Sequence, residues 1–297
     1  MLSNHATWVP LILLSAMTLG IYDVAKKHAV SKNGVMPVLA LSTLTGTILV
    51  VMTQLISGTA SASLIITKHQ FLLLALKSMI VAGSWMFAYY GMRALPITLY
   101  APIRGSQPFW TLLGALLIFG EIPSRYQWIG IVVIIIGYWL FSNTGKLEGI
   151  RFTANQGVFQ VFAATILGAA SGLYDKYLLQ PCGLRPDLVQ FWFQIDLVVI
   201  IGSVWLIQHL SALSRTKFTW RWSIPLTGAL LVVSDWLYFS ALHESGTLIS
   251  VLSPMRRSNA VISFLIGGLI FKDANRRKKG VAMVWIIIGV VILAMGK

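Results

Sequence analysis

Thiol and acid are what this sequence has least of. A single cysteine, Cys182, stands in 297 residues, which excludes an intramolecular disulfide framework. The histidines, His5, His28, His69, His209 and His243, are scattered without ligand spacing, so neither a metal site nor any other cofactor is signalled. Charge is scarce as well: 11% charged residues against 57% hydrophobic ones are too few to coat a soluble globule, and the mean hydropathy of +0.78 agrees. The chain reads as an integral membrane protein. Nine acidic residues face 23 basic ones, a net charge of +14. The basic residues sit in short groups between apolar runs, however, with no basic domain or base-stacking module, so nucleic acid is not an expected partner. No nucleophile stands beside a base, and an enzyme is not expected.

The N-terminus lacks the basic start and small-residue cleavage site of a secretory signal, and the first apolar run is read as a membrane helix. Segments of about 20 apolar residues, each enough to cross a hydrocarbon core of about 30 Å, fall at 7-30, 34-57, 70-93, 96-119, 124-142, 157-180, 186-209, 221-243, 246-271 and 278-296. The expected fold is all-α and integral to the membrane, with ten transmembrane helices and connections too short for a soluble domain.

An offset of 152 sets "LGIYD", ending at Asp23, on "SGLYD", ending at Asp175. The same offset sets "APIRGSQPFWTLLGALLIFGE" on "SPMRRSNAVISFLIGGLIFKD", pairing Pro102 with Pro254, Arg104 with Arg256, Ser106 with Ser258, Gln107 with Asn259, Thr111 with Ser263 and Glu121 with Asp273. The chain thus divides into two five-helix repeats, 1-148 and 149-297. Five is odd, so the second copy enters the membrane from the opposite side and the repeats are inverted. Exchanging the conformations of two such halves converts an outward-open cavity into an inward-open one, which favours a transporter over a channel or receptor.

The runs "LGIYDVAKKHAV", "GVMPVLALSTLTGTI", "GMRALPITLYAPI", "LLIFGEIPSRYQWIGIVVIIIGYWLF" and "GLIFKDANRRKKGVAMVWIIIGVVILAMG" resemble the drug/metabolite transporter superfamily, in particular its ten-helix EamA-type members. The glycine-acid helix end followed by a glycine-bearing terminal helix is the most specific feature. The resemblance spans essentially the whole chain and implies a secondary transporter or exchanger with a central cavity; it leaves the cargo open.

Fourteen basic residues, among them the tract "KDANRRKK" at 272-279, fall in loops on one side of the membrane and four on the other. The positive-inside rule then puts the fourteen in the cytoplasm and both termini outside, a departure from the termini-inside arrangement usual in the family. The expected location is the inner (plasma) membrane, as a monomer or homodimer.

In the fourth segment Arg104, Gln107 and Thr111 share one helix face, and Arg256, Asn259 and Ser263 repeat that stripe in the ninth. A guanidinium in hydrocarbon must find an anion, water or carbonyls, at a cost of about 2.5 kcal/mol upward. Arg104, Gln107, Arg256, Arg257 and Asn259, with Tyr22 and Tyr174, are the candidate substrate-binding residues. Asp23 and Arg104 lie at similar depth, as do Asp175 and Arg256. This suggests two ion pairs that alternate with an anionic substrate; permanent staples between helices are the plain alternative. Asp196 and Asp235 have no repeat counterpart and could each carry a coupling proton or simply neutralise Lys77 or an arginine. The serines and threonines of the stripes are read as interhelical glue, Pro102 and Pro254 as kinks, and Ala16–Gly20 and Gly168–Gly172 as close-packing motifs.

The first choice is a secondary carrier of a small organic anion, phosphorylated or carboxylated, as exchanger or proton-coupled. The alternatives are a flippase for phospholipid or carrier lipid, and a proton-coupled exporter of amino acids, aromatic or cationic compounds.

Overall fold

In a computed structural model of the chain, residues 7–59, 63–95, 100, 103–145, 155–211, 217–270 and 276–295 are described. Among them there is helix and no strand. The helices are α1 (Trp8–Val30), α2 (Val35–Ile56), α3 (Lys68–Ala94), α4 (Gln107–Phe119), α5 (Arg125–Gly145), α6 (Gln156–Leu179), α7 (Pro186–Leu210), α8 (Ser223–His243), α9 (Ile249–Arg257), α10 (Asn259–Ile270) and α11 (Arg276–Met295). Six of them, α1, α2, α3, α6, α7 and α8, are each long and apolar enough to cross a membrane. Their outer faces expose leucine, isoleucine and aromatic side chains, as a lipid-facing surface requires.

Local sequence sets the helix ends. Thr67 and Gln70 close α3 with a reciprocal capping box, and the Asn155 side chain accepts from the Gly157 and Val158 N–H groups at the start of α6. Gly120 adopts the left-handed region (φ 61°) after α4, and the following Glu121 N–H returns to the Ala115 carbonyl at 3.2 Å.

The fourth and ninth segments are not the continuous helices that their apolar runs predict. Residues 103–105 are helical, a turn intervenes at Ser106, and α4 follows; α9 ends at Arg257, a turn intervenes at Ser258, and α10 follows. The two breaks have the same structure. Ser106 N–H bonds to Ile103 O at 3.2 Å and its hydroxyl to the same oxygen at 2.7 Å; Ser258 does likewise to Met255 O at 3.2 and 2.7 Å. A serine thus converts one turn to i→i+3 bonding, the tighter geometry found at mid-helix hinges. Two expectations are corrected here. The break lies at the serine rather than at Pro254, which sits inside α9, and Ser106 and Ser258 bond within their own turn rather than gluing helices together. The Pro102 kink and the side chains of "KDANRRKK" lie outside the described residues.

The helices pack as α1 with α8, α3 with α6, α2 with α7 and α8, α3 with α7, α4 with α6 and α9, α1 with α9 and α10, and α5 with α11. The contacts between α1, α3, α6, α8 and α9 enclose the ionisable side chains.

Candidate functional site

Helix α6 carries small residues along the face toward the interior, and the site is built on it one turn at a time. At Ala164 the carbonyl accepts the Arg104 Nη1 donor at 2.6 Å and the Ser84 hydroxyl at 2.8 Å. One turn on, Gly168 leaves a space filled by two side chain ends: a Cβ there would stand 2.8 Å from Gln107 Oε1 and 3.2 Å from Arg104 Nη1. Arg257 Nη2 donates to that same Gln107 Oε1. Arg104 and Gln107 thus meet Arg257 above a glycine, and the three come from opposite halves of the sequence. Gly168 was expected to serve helix packing; its missing side chain instead makes room for a guanidinium and an amide. Its partner motif behaves as expected, since a Cβ on Gly20 would stand 2.4 Å from Ile262 Cβ and 2.9 Å from the Asn259 carbonyl.

Further along α6, the nearest group to a Cβ on Gly172 would be the Tyr238 hydroxyl, at 3.7 Å. The Arg256 guanidinium lies 3.9 Å from the Tyr238 ring centroid, and its Nη2 donates to Asp235 Oδ1 at 2.5 Å. Its Nε is buried and has no hydrogen-bond partner among the described residues. At Asp175 the partner is Lys77, whose side chain is 1% exposed and whose Nζ lies 4.3 Å from the Phe193 ring centroid and 4.8 Å from that of Phe239.

The pairing expected from depth therefore does not form. Asp175 binds Lys77 instead of Arg256, because α3 packs directly on α6 and delivers its lysine there. Asp23 binds Lys26, three residues on in its own helix, at 2.7 Å, and accepts from Asn259 Nδ2 at 2.6 Å, while Arg104 lies on α6. Equal depth places two groups in one slab of membrane but says nothing of rotation about the helix axis. Of the two unmatched acids, Asp235 neutralises an arginine and Asp196 accepts from the Ser78 hydroxyl at 3.1 Å. Tyr22 and Tyr174 are not part of the group at Gly168: the Tyr22 hydroxyl is 3.5 Å from that of Tyr89, and Tyr174 donates to the Leu73 carbonyl at 3.2 Å. Ser263 does act as glue, donating to the Gly20 carbonyl at 3.2 Å, whereas Thr111 bonds back within its own helix.

Sequence reasoning missed a fourth buried pair. Glu121 binds Lys176 and also accepts from the Ile249 and Ser250 N–H groups at 3.0 and 2.9 Å, tying the end of α4 to α6 and to the start of α9. The signal was available: Glu121 is the acid of the glycine-acid motif, and an acid just after one helix is suited to satisfy the open N–H groups of another. The Lys26–Asp23 pair was equally legible from its i, i+3 spacing.

Residues 6–143 match the EamA-like transporter family. The chain is similar to the uncharacterized inner membrane transporter YedA of Escherichia coli (strain K12), at 21% identity over 225 residues, covering 74% of this chain and 69% of the relative. The same identity and coverage hold for YedA of Escherichia coli O157:H7. Its fold is shared with a solved crystal structure at a TM-score of 0.73, with 12% sequence identity over 98% of this chain and 96% of the other.

Proposed function

We propose, on the match of residues 6–143 to the EamA-like transporter family, that the chain is a secondary carrier of a small organic anion. It works by alternating access between two inverted five-helix repeats, 1-148 and 149-297, in the inner membrane, with both termini outside. The observation that carries the anion reading is the convergence of Arg104 and Arg257, one from each half, with Gln107 over Gly168. Arg104 is held there by a backbone carbonyl and takes part in no ion pair among the described residues. A carbonyl stabilises a guanidinium less than a carboxylate or phosphate that accepts two parallel N–H bonds, so an anion entering this space has a ready partner.

The helix pairing supports the repeat. Exchanging the halves turns α1 with α8 into α6 with α3, α2 with α8 into α7 with α3, and α1 with α9 and α10 into α6 with α4, and each of these contacts is present. The equivalent breaks at Ser106 and Ser258 support it too, because they place Arg104 and Gln107, and Arg256 and Asn259, on either side of a hinge-like turn.

Purified protein in proteoliposomes, offered radiolabelled glycerol 3-phosphate, succinate, a cationic amine and a fluorescent phospholipid, tests the reading. Uptake of an anion, weakened tenfold or more in affinity by Arg104→Lys, which keeps charge but loses the planar fork, is the expected result. Transport of the amine or lipid alone, indifferent to that substitution, would reject it.

A further inference from the structure

Lys77, Asp175, Asp235 and Arg256 arise from four helices, α3, α6, α8 and α9, and lie as two ion pairs around one tyrosine. Asp235 and Tyr238 stand one turn apart on α8, the Arg256 guanidinium lies 3.9 Å from the Tyr238 ring centroid, and the Tyr238 hydroxyl is the nearest group to Gly172, one turn before Asp175 on α6. Two carboxylates and two cations make the quartet neutral as it stands. It is also buried: the Asp175 and Asp235 side chains are 6% and 9% exposed. In such a place any uncompensated charge is severely penalised.

Arg256 keeps a buried Nε without a hydrogen-bond partner among the described residues, and it is next in sequence to Arg257 at the anion site. An anion drawn into that space competes with Asp235 for the Arg256 guanidinium. When Arg256 turns to the anion, Asp235 remains beside Asp175 with Lys77 alone to serve both carboxylates, and two neighbouring carboxylates that share too little positive charge do not both stay ionised. We propose that Asp235 takes up one proton each time Arg256 turns to the substrate, which makes the carrier an anion–proton symporter. The inference rests on the anion reading above. The proton passes from water to an Asp235 oxygen as the Arg256 hydrogen bond leaves it, and returns to water when the anion departs and the ion pair re-forms.

The surroundings of Asp235 leave this role to it. From α9 it faces Arg256, and the acid on the neighbouring α6, Asp175, is already held by Lys77 of α3. Helix α1 meets α8 through Ser15, which bonds to the Ser234 carbonyl at 2.7 Å. Helix α2 carries no titratable residue. Helix α7 brings Gln190 to the Val232 carbonyl at 2.7 Å, while its Asp196 is engaged by Ser78.

The test uses the full chain in proteoliposomes with the membrane potential clamped at zero, pyranine inside as proton indicator, and radiolabelled succinate and glycerol 3-phosphate as probes. One proton per anion predicts about tenfold accumulation for each unit of inward pH gradient, with interior acidification that tracks anion entry. Asp235→Asn cannot take the proton: accumulation falls to about onefold, while exchange of labelled for unlabelled anion across the membrane persists. Asp235→Glu keeps a titratable group and retains gradient-driven accumulation, so a loss common to both variants would assign Asp235 a structural role and overturn the proposal. Anion transport without proton movement in the wild type overturns the coupling alone. Failure to transport or exchange either anion overturns the anion reading and the coupling with it.

Discussion

Replacing Lys77 by Met should cost this protein most of its stability, and the structure says how much and why. The lysine side chain is 1% exposed, lies between the Phe193 and Phe239 rings at 4.3 and 4.8 Å, and holds Asp175, itself 6% exposed. Methionine fills nearly the same volume, so the cavity term is small. What is lost is the compensation of a buried carboxylate, about 3–5 kcal/mol when one partner of such a pair is removed, with about 1–2 kcal/mol of cation–π contact added. The double variant Lys77→Met/Asp175→Asn removes the orphaned charge as well, and should recover most of the loss. The assay is a double-mutant cycle of unfolding in a denaturing-detergent titration, with Asp175→Asn as the other single variant. A coupling energy of about 2–4 kcal/mol is expected. Additive losses, with coupling under about 0.5 kcal/mol, would refute the claim that the pair is held by mutual charge compensation.

Other consequences follow from the same geometry. Gly20→Ala meets the Cβ of Ile262 and the backbone oxygen of Asn259 and should lower thermal stability by about 1–3 kcal/mol; Gly168→Ala meets only the ends of two flexible side chains, so it should fold normally and lose anion affinity instead, as ligand-dependent thermal shift will report. Glu121→Gln keeps a hydrogen-bond acceptor but loses the charge that faces Lys176 and the open end of α9; faster hydrogen exchange at Ile249 and Ser250, at a cost of about 1–3 kcal/mol, is expected. Reporter fusions at the two termini should both give the extracytoplasmic signal, and a cytoplasmic signal from either would reverse the orientation drawn from loop charge.

The helices were legible because a span needs a long apolar run and little else, so α1, α2, α3, α6, α7 and α8 fall within a few residues of their expected positions. The breaks in the fourth and ninth segments were not, because a hydroxyl that returns to the carbonyl three residues back leaves no trace in hydropathy. Proline drew attention to the right stretch and to the wrong residue. Arg104, Gln107 and Arg257 stood among the seven candidate binding residues because intramembrane polar and cationic groups must go somewhere polar, and the structure brings these three of the seven together. Their convergence over Gly168 depends on the rotation of α4 and α6, which a single sequence does not encode in any local pattern.

On the proposed duplication, the ion pairs make a one-sided site. Asp23 and Asp175 match at the offset of 152, yet Asp23 finds its cation one turn away and is further held by Asn259 of α10, while Asp175 takes Lys77 from α3. Lys26 matches Leu178 at that offset, and the stretch of α8 that matches the Lys77 region carries no lysine or arginine, so neither cation has a counterpart. Around Asp23 the helices are sealed, with Gly20 against Ile262 and Ser263 on the Gly20 carbonyl. Around Asp175 the equivalent glycine faces only a tyrosine hydroxyl, and the glycine one turn earlier admits Arg104 and Gln107. The matched segments share the two hinge-like turns and an arginine beside each, and the departure adds one further charge: Arg257 stands where the first segment has Gly105, and it reaches across to Gln107 of the other half. A site built from that single departure predicts an asymmetric result. Arg257→Gly, which restores the matching residue, should weaken anion binding tenfold or more, whereas Gly105→Arg, which adds the charge in the first half, should not restore it in the Arg257→Gly background, because position 105 is buried and is not the place from which Arg257 meets Gln107. Recovery of binding in that double variant would show that net charge alone, rather than the placement of Arg257, holds the anion.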